Sequence, residues 1–342
     1  MPKTFNNLWP KIVSFDNLFE AFHTSRKGHR YQKEVLDFMH NLEENLIDLQ
    51  NHLIWHTWRP DPPRKFIIYE PKKRIIAAPS FRDRIIHQAV MRIVEPLFEQ
   101  KYITHSYACL QGRGCLAAAL KAQQYIRSYP RQTPVYVMKG DVKSYFPSVH
   151  HGYLKKQIMR TVRDPNVLWL LFRIIDEFPD GRGMGIGSLT SQVFANVNLN
   201  PFDHWIKDDL GIKRYVRYMD DFVIISDNKQ HLKKMLSSCT DYLSHIPSLT
   251  INPKSDVIPM THGLNFCGYR IFRDYLLPRK RNIKNARKRL RKLADLYQSG
   301  DISLYTYYAS LASFLGYAKH CRSYRSVESV LDTATITSAP GP

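Results

Sequence analysis

The tetrapeptide Tyr218-Met219-Asp220-Asp221 constrains this chain more than any other stretch. It lies between two apolar runs, Arg214-Tyr215-Val216-Arg217 and Phe222-Val223-Ile224-Ile225-Ser226. Runs rich in Val, Ile, Tyr and Phe around a two-residue polar break predict a tight β-hairpin with Met219-Asp220 at its tip. Two adjacent carboxylates there repel each other, and a divalent cation would neutralise them. Turns are also rich in Asp for backbone reasons, so the pair alone leaves a plain solvated turn open. A third carboxylate ends the predicted strand Val135-Tyr136-Val137-Met138-Lys139-Gly140-Asp141. Taken singly, Asp141 could equally cap the following turn. A strand delivering Asp141 beside a hairpin delivering Asp220 makes a three-carboxylate site suited to two magnesium ions about 3.5–4 Å apart, which clamp the oxygens of a phosphoryl transfer.

Asp141 with the aromatic Phe146 five residues on, and Tyr-Met-Asp-Asp in a hairpin, resemble the two catalytic palm motifs of reverse transcriptases. The stretch Gly185-Ile186-Gly187-Ser188-Leu189-Thr190-Ser191-Gln192 extends the likeness. Most of that family carries Gln-Gly-x-x-x-Ser-Pro here; this chain has Ile186 in place of the Gln and Gln192 in place of the Pro. That form resembles the reverse transcriptases of diversity-generating retroelements of phages and bacteria. Pro71-Lys72-Lys73-Arg74 with the following Ile75 to Arg84, and the primer-grip-like Asn265-Phe266-Cys267-Gly268-Tyr269-Arg270, carry it over roughly residues 60 to 320.

The resemblance implies an α+β chain of right-hand polymerase architecture. An N-terminal helical extension would span 1–60 and the fingers 61–134. The palm, a split β-α-β antiparallel sheet, would span 135–275 with a fingers insertion at about 160–185. A helical thumb would follow over 276–330 and a flexible tail over 331–342. Asp141, Asp220 and Asp221 are implied as catalytic, and these with Val142 as ligands of two Mg2+ ions, for which Mn2+ can substitute. Nucleotide-binding roles fall on Lys72, Arg74, Ser144, Tyr145, Phe146, Ile186, Gly187, Gln192 and Lys254, with Phe146 as a steric gate against the ribose 2′-hydroxyl. Residue by residue, Phe146 and Tyr145 could as well be ordinary core aromatics, and Lys254 an ordinary turn lysine. Phe266, Cys267, Gly268 and Tyr269 would form the primer grip. Tyr218, Met219, Arg279, Lys280, Arg281, Lys284, Arg287, Lys288 and Arg289 would touch nucleic acid.

As function, the resemblance implies an RNA-directed DNA polymerase that copies a template-repeat RNA into cDNA with low fidelity at adenines, for mutagenic retrohoming. Its partners would be template RNA and RNA/DNA hybrid, dNTPs, and an oligomeric accessory variability determinant protein. The setting would be the bacterial cytoplasm, of a bacterium or a phage's host. Ile186 has a physical bearing on fidelity: an amide there can hydrogen-bond near the nucleotide, whereas isoleucine offers only shape, which narrows the gap between right and wrong nucleotides. Rival readings are a group II intron, retron or phage-defence reverse transcriptase, a catalytically silent nucleic-acid-binding protein, and a metal-dependent nuclease.

Composition agrees without the resemblance. Fifty Lys and Arg against thirty Asp and Glu leave a formal charge of +20, the footprint of a protein that neutralises phosphates. No apolar run approaches the length of a membrane span, and the N-terminus lacks the apolar core of a secretion signal. Five scattered cysteines without a C-x-x-C pair suggest neither a disulfide framework nor a zinc site, as expected of a reduced intracellular protein.

Helical spacing of Val35, Leu36, Met39, Leu42, Leu46, Leu49 and Leu53 predicts helix across 30–56, closed by the prolines after Trp58. Lys65–Glu70 and Arg74–Ala78 read as paired strands around a basic tip. Asp83 opens a predicted helix to about Gln100, on which His87 reads as a satisfied core or surface histidine. Further helices are predicted over Ala117–Tyr129, from about His150, after Gly187 and from about Lys229, with a strand near Leu249 to Asn252. From Arg279 to Lys292 nine of fourteen residues are basic and none acidic, yet Ile283, Leu290, Leu293 and Tyr297 keep a helical stripe. Such a run is either a solvated face or the side of a thumb that holds a duplex.

Overall fold

A computed structural model describes residues 3–69 and 74–333. The chain divides into two compact units. The first gathers residues up to 110, 141–213 and 237–253; the second gathers 111–140, 214–236 and 254 onward. In chain order the elements are α1 (Trp9–Ile12), α2 (Phe15–Ser25), α3 (Lys33–His40), α4 (Leu42–Ile54), β1 (Arg64–Ile68), β2 (Arg74–Ala78) and α5 (Phe81–Glu99). Then come α6 (Cys115–Arg127), β3 (Tyr136–Asp141), α7 (Tyr145–Ser148), α8 (His151–Met159), α9 (Pro165–Ile175) and α10 (Leu189–His204). The hairpin β4 (Tyr215–Tyr218) and β5 (Asp221–Ser226) precedes α11 (Lys229–Ser244) and β6 (Asp256–Pro259). The chain continues through β7 (Leu264–Phe266), β8 (Tyr269–Ile271), β9 (Leu276–Pro278), α12 (Lys280–Gln298), α13 (Leu304–Ala318) and α14 (Tyr324–Leu331). The class is α+β: every strand pairing with a described register is antiparallel.

Helix α5 is the axis of the first unit. Ser80 caps it by accepting from the Asp83 amide at 3.2 Å. Its Ile85, Ile86, Ala89, Val90 and Val94 are buried against α2 and α10, as their spacing predicts. Ile93 is only half-buried. Asp83, itself buried, accepts from the Trp58 indole N–H at 3.1 Å and the Asp61 amide at 2.8 Å. It thereby ties the proline-rich turn before β1 to the helix that follows β2. Burial raises its pKa despite those bonds.

The predicted helix over 30–56 is two, α3 and α4, broken at Asn41. Val35, Leu46, Leu49 and Leu53 are buried, whereas Leu36 and Met39 lie on the open side. The β1–β2 ladder runs from Arg64↔Ala78 to Ile68↔Arg74. Glu70 and the tip Pro71-Lys72-Lys73, with the expected triphosphate contact Lys72, lie outside the described residues, as does the tail from 334.

The second unit is built on a four-stranded sheet of order β4-β5-β3-β6. Helix α6 packs on β4 and β5. The strand expected near Leu249–Asn252 is displaced. Only Ile251 bridges Val142, and the true strand is β6, paired with β3 from Tyr136↔Pro259 to Lys139↔Asp256. Pro253 has no N–H to give a ladder, so the chain turns there before pairing resumes. Gly140 is the close-packing point. A Cβ there would lie 2.2 Å from Cζ of the buried Phe222 ring.

His87 departs from the expected satisfied histidine. It is buried, both ring nitrogens lack a partner among the described residues, and burial lowers its pKa to about 4. The neutral ring is tolerated, the charged ring is not. With the folded pKa below the unfolded value, stability is full above about pH 6.5 and falls as pH drops toward 4, by up to about 3 kcal/mol. His87→Leu should remove most of that loss. Urea denaturation of both proteins at pH 7 and pH 5 measures it; equal pH sensitivity of the two would contradict this account.

Candidate active site

Within the first unit, Asp141 closes β3 and is held at once by the segment that follows α11. Asn252 donates its side-chain amide to Asp141 Oδ2 at 2.7 Å, and its backbone N–H to the Asp141 carbonyl at 2.7 Å. Lys143 N–H donates to Thr250 O at 2.9 Å, so Val142 is locked between two backbone bonds with its side chain buried. Ser144 takes a left-handed conformation (φ 48°, ψ 47°) that turns the chain into α7. The turn separates two adjacent aromatics. Tyr145 is buried, donates its hydroxyl to Ala195 O at 2.7 Å and accepts from Asn198 at 3.3 Å. Phe146 is half-buried, and its ring meets Tyr145 only edge-on. Tyr145 is thus the core aromatic, and Phe146 is the one with a face to offer.

Ile186, Gly187 and Gln192 lie at the start of α10. Ala77 N–H donates to Ile186 O at 3.3 Å, and Ile76 bridges Ile186, so this segment continues the edge of β2. Gly187 has φ 115°, and a Cβ there would come within 2.9 Å of Ile76 Cγ2. Glycine is required on both counts. Ser188 caps α10 by accepting from Ser191 N–H at 3.2 Å, and the Ser188 and Ser191 hydroxyls bond at 2.8 Å. Ser191 therefore serves the helix start, and Gln192, half-buried, follows it on the first turn. Arg74 opens β2 on the exposed side, and Lys254 is exposed in the turn after Pro253.

Within the second unit, the hairpin forms as predicted, with Tyr218 paired to Asp221 across a two-residue loop. Met219 takes a positive φ of 58°, the twist that primed hairpin turns demand. Arg217, wholly buried in β4, donates to the Met219 carbonyl at 2.8 Å and so splints the loop carrying Asp220. Lys139 on β3 sets its ammonium 3.1 Å from Asp221 Oδ2 and donates to Asn265 O at 2.9 Å.

The predicted grip Phe266-Cys267-Gly268-Tyr269 is the β7–β8 hairpin, with positive φ at Cys267 (47°) and Gly268 (85°). Its tip is anchored to the helices beyond. Tyr317 on α13 donates to Gly268 O at 2.6 Å, and Asn282 on α12 donates to the same oxygen at 3.3 Å. Cys115, at the start of α6, meets Cys267 and Tyr218. Hydrogen bonding from the Cys267 thiol first, and from the Tyr218 hydroxyl, pulls its thiol below the ordinary range.

On α12, Ala286, Leu290 and Ala294 are buried, while Lys280, Arg281, Lys284, Lys288 and Arg289 are exposed or edge positions. Arg279 precedes the helix as its cap. Arg287 differs from its neighbours: it donates to Ser329 on α14 at 2.6 Å and binds the helices together. Sequence reasoning missed Asn252, Arg217, Lys139, Tyr317 and Asn282. The only signal available was a charge inside each of two apolar strands, Lys139 and Arg217.

The donor chemistry of Asp141, Asp220 and Asp221 is all hard carboxylate oxygen, which fits Mg2+ or Mn2+ rather than a thiolate-seeking metal. Among the described residues no three His, Cys, Asp or Glu side chains converge closely enough to hold a metal unaided. The Lys139 ammonium meanwhile supplies the positive charge beside Asp221. No described helix is long and apolar enough to cross a membrane.

The chain matches the family described as "Reverse transcriptase (RNA-dependent DNA polymerase)" over residues 63–271. It is similar to Protein YkfC of Escherichia coli (strain K12), 26% identical over 270 residues that cover 66% of this chain and 70% of that protein. Group II intron-encoded protein LtrA of Lactococcus lactis subsp. cremoris is 24% identical over 207 residues, covering 57% of this chain and 33% of LtrA. The chain thus spans a third of that relative. Apo telomerase from Candida tropicalis resembles it with a TM-score of 0.49 at 13% identity, over 84% of this chain and 66% of that one.

Asn252 gives a direct test of how Asp141 is held. A hydrogen bond to a charged group contributes about 1.5–3 kcal/mol. Asn252→Leu should slow nucleotide addition about tenfold or more while Asn252→Asp slows it further by repulsion. Single-nucleotide extension measures both; an unaffected rate for Asn252→Leu would show that Asp141 needs no such support.

Proposed function

Because the family match covers residues 63–271, more than half of its length, this chain belongs to the reverse transcriptase family, and we propose that it copies a template-repeat RNA into cDNA with low fidelity at adenines, for a diversity-generating retroelement. The observation that carries the reading is Ile186 beside Gly187, with Ser191 and Gln192 on the next helical turn. An apolar side chain stands where directional hydrogen bonding would otherwise sharpen the choice of nucleotide. The Ala77 N–H holds the Ile186 carbonyl and so ties the backbone at this position to β2.

In this reading Asp141, Asp220 and Asp221, with the Val142 carbonyl, hold the metal ions. When bound, two divalent cations stabilise the charge that develops on the transferring phosphoryl group. Asn252 holds the Asp141 carboxylate and Arg217 the loop that bears Asp220, while Lys139 sets a positive charge beside Asp221. Phe146 presents its half-buried ring to the sugar and excludes a 2′-hydroxyl by clash. Ser144 and Tyr145 shape the turn that aims it. Arg74 and Lys72 pair with the incoming triphosphate, and Lys254 serves the departing pyrophosphate. The bare backbone of Gly187 admits the base pair, and Gln192 lines the same approach. Phe266 to Tyr269 hold the primer end, with Tyr218 and Met219 beneath it. Arg279, Lys280, Arg281, Lys284, Lys288 and Arg289 face the duplex phosphates, and Arg287 steadies their helix from within. Template RNA, RNA/DNA hybrid and an oligomeric accessory variability determinant are the partners, in a bacterial cytoplasm. A second reading, a group II intron-type or retron-like or phage-defence enzyme, is favoured by the likeness to LtrA.

Asp220→Asn and Asp141→Asn should each abolish primer extension in Mg2+ while leaving RNA binding and its salt dependence unchanged, since affinity comes from the remote basic helix. Filter binding alongside extension measures both, and extension at the normal rate by either variant would falsify the catalytic assignment.

Ile186→Gln should reduce errors opposite template adenines, each tenfold gain in discrimination corresponding to about 1.4 kcal/mol. Sequencing of cDNA made by both enzymes from one RNA, with and without the accessory protein, gives the answer. Faithful copying of adenines by the unmodified enzyme would favour the second reading. Adenine-biased errors untouched by Ile186→Gln would leave the retroelement assignment standing and remove the proposed cause.

A further inference from the structure

A cavity of about 770 Å3 opens in the first unit, lined by the N-terminal segment, the end of α5, the end of α8, α10 and α11. Its volume falls in the range of small-ligand sites. Asp141, Phe146 and Ile186 do not line it.

One wall is aromatic. The rings of Trp205 and Tyr242 lie 4.4 Å apart at 24°, and Phe5 and Phe98 continue the surface. Trp205 begins a stretch of π-helix, Trp205–Asp209, closed by the Leu210 N–H to Trp205 O bond at 3.0 Å. Such widened turns recur at functional sites. The lining is also cationic, with Lys3, Lys101 and Arg160; His204 lines the cavity too but is engaged by Asp208 at 2.6 Å. The Lys101 ammonium donates to Lys3 O at 2.7 Å and Arg160 O at 3.0 Å, so its described partners are carbonyls and its charge is not cancelled by them. Asp209 is the one carboxylate in the lining.

The lining also holds the amides Gln157 and Asn200. Gln157, only 7% exposed, has its side-chain carbonyl oxygen buried without a partner among the described residues, and so has Asn200. Both oxygens are closed off from solvent and so lie behind the cavity surface, not on it. A purely apolar occupant would leave the cations of the lining without a counter-charge. Flat rings, adjacent amides and anion-seeking cations together select a planar, hydrogen-bonding, negatively charged molecule. Bases splayed from a single strand are taken up in this manner, stacked on aromatics and hydrogen-bonded on their edges.

We propose that this cavity binds one unstacked nucleotide, its base on the Trp205–Tyr242 wall and against the Gln157 and Asn200 amides, its phosphate at Arg160 and Lys3. The shared chemistry is a nucleoside monophosphate, either free or as one residue of an RNA strand held away from the polymerase site.

The test uses the full chain with EDTA present, so that metal-dependent nucleotide binding at the polymerase site does not contribute. Calorimetry compares the four ribonucleoside monophosphates, their nucleosides, inorganic phosphate and a five-nucleotide RNA. A monophosphate or the RNA should bind at least tenfold tighter than nucleoside or phosphate alone. Arg160→Leu and Tyr242→Leu should each weaken it about tenfold or more, whereas Tyr242→Phe should retain it. Primer extension on a supplied template–primer should be unchanged in all three. Binding of the free monophosphate identifies a free nucleotide as ligand, and binding of the RNA alone identifies a strand subsite. Should Tyr242→Leu fail to fold, ultraviolet crosslinking of the unmodified chain to the RNA, read by mass spectrometry, replaces it. Adducts at Trp205 or Tyr242 support the proposal. Crosslinks confined to other residues, or binding insensitive to Arg160→Leu and Tyr242→Leu, overturn it, as does the absence of binding by every ligand.

Discussion

The approach of the Phe222 ring over Gly140 governs the geometry of the central sheet. Strand β5 opens on Asp221, and β3, its neighbour, passes through Gly140 on the way to Asp141. A side chain on Gly140 would meet the ring at well under contact distance, so the absence of a Cβ leaves room for the Cζ end of Phe222 in the core. Interiors of this density transmit such a fit to their neighbours, because overpacking forces rotamers and backbone to shift. A side chain at position 140 would therefore displace either the ring or the strand beside it.

Around that packing the polar groups are arranged to hold loops still. Arg217 is an expensive group to bury, yet it reaches the Met219 carbonyl and stiffens a two-residue loop that bears adjacent acids. Asn252 does the same for Asp141, and Tyr317 with Asn282 does it for the Gly268 turn. Arg217 works from two residues away, whereas Asp141 and the Gly268 carbonyl are held by side chains from other parts of the sequence. Rigid placement of this kind suits chemistry that depends on positioning more than on covalent participation.

The cation distribution is similarly divided by role. Exposed Lys and Arg on α12 are available to a polyanion, and their contribution is salt-sensitive. Arg217 is wholly buried, and Arg287 is half-buried with a bond to Ser329. The first unit carries a second basic region, the cavity whose lining brings Lys3, Lys101 and Arg160 together with aromatic rings. Net charge predicts a polyanionic partner for the chain as a whole. It does not predict that the cations occur in two such different settings.

The sequence alone was sufficient for the local elements that rest on short-range patterns. The Tyr218–Asp221 hairpin, the strand ending on Asp141, the stripe of α5 and the basic face of α12 all follow from periodicity and turn chemistry over a few residues. Family membership was legible for the same reason, since its motifs are contiguous. Tertiary structure alone decided what depends on residues far apart in the chain. Pairing of β3 with 256–259 rather than with 249–252 is such a case, because a ladder is chosen by long-range fit and Pro253 only by its missing donor. So are the inward turn of Arg287, the unsatisfied burial of His87, the split between Tyr145 and Phe146, and the Asn252 bond to Asp141. The Trp205–Tyr242 cavity belongs with them: its walls come from five separate segments, and no local pattern announces a surface that exists only once helices pack.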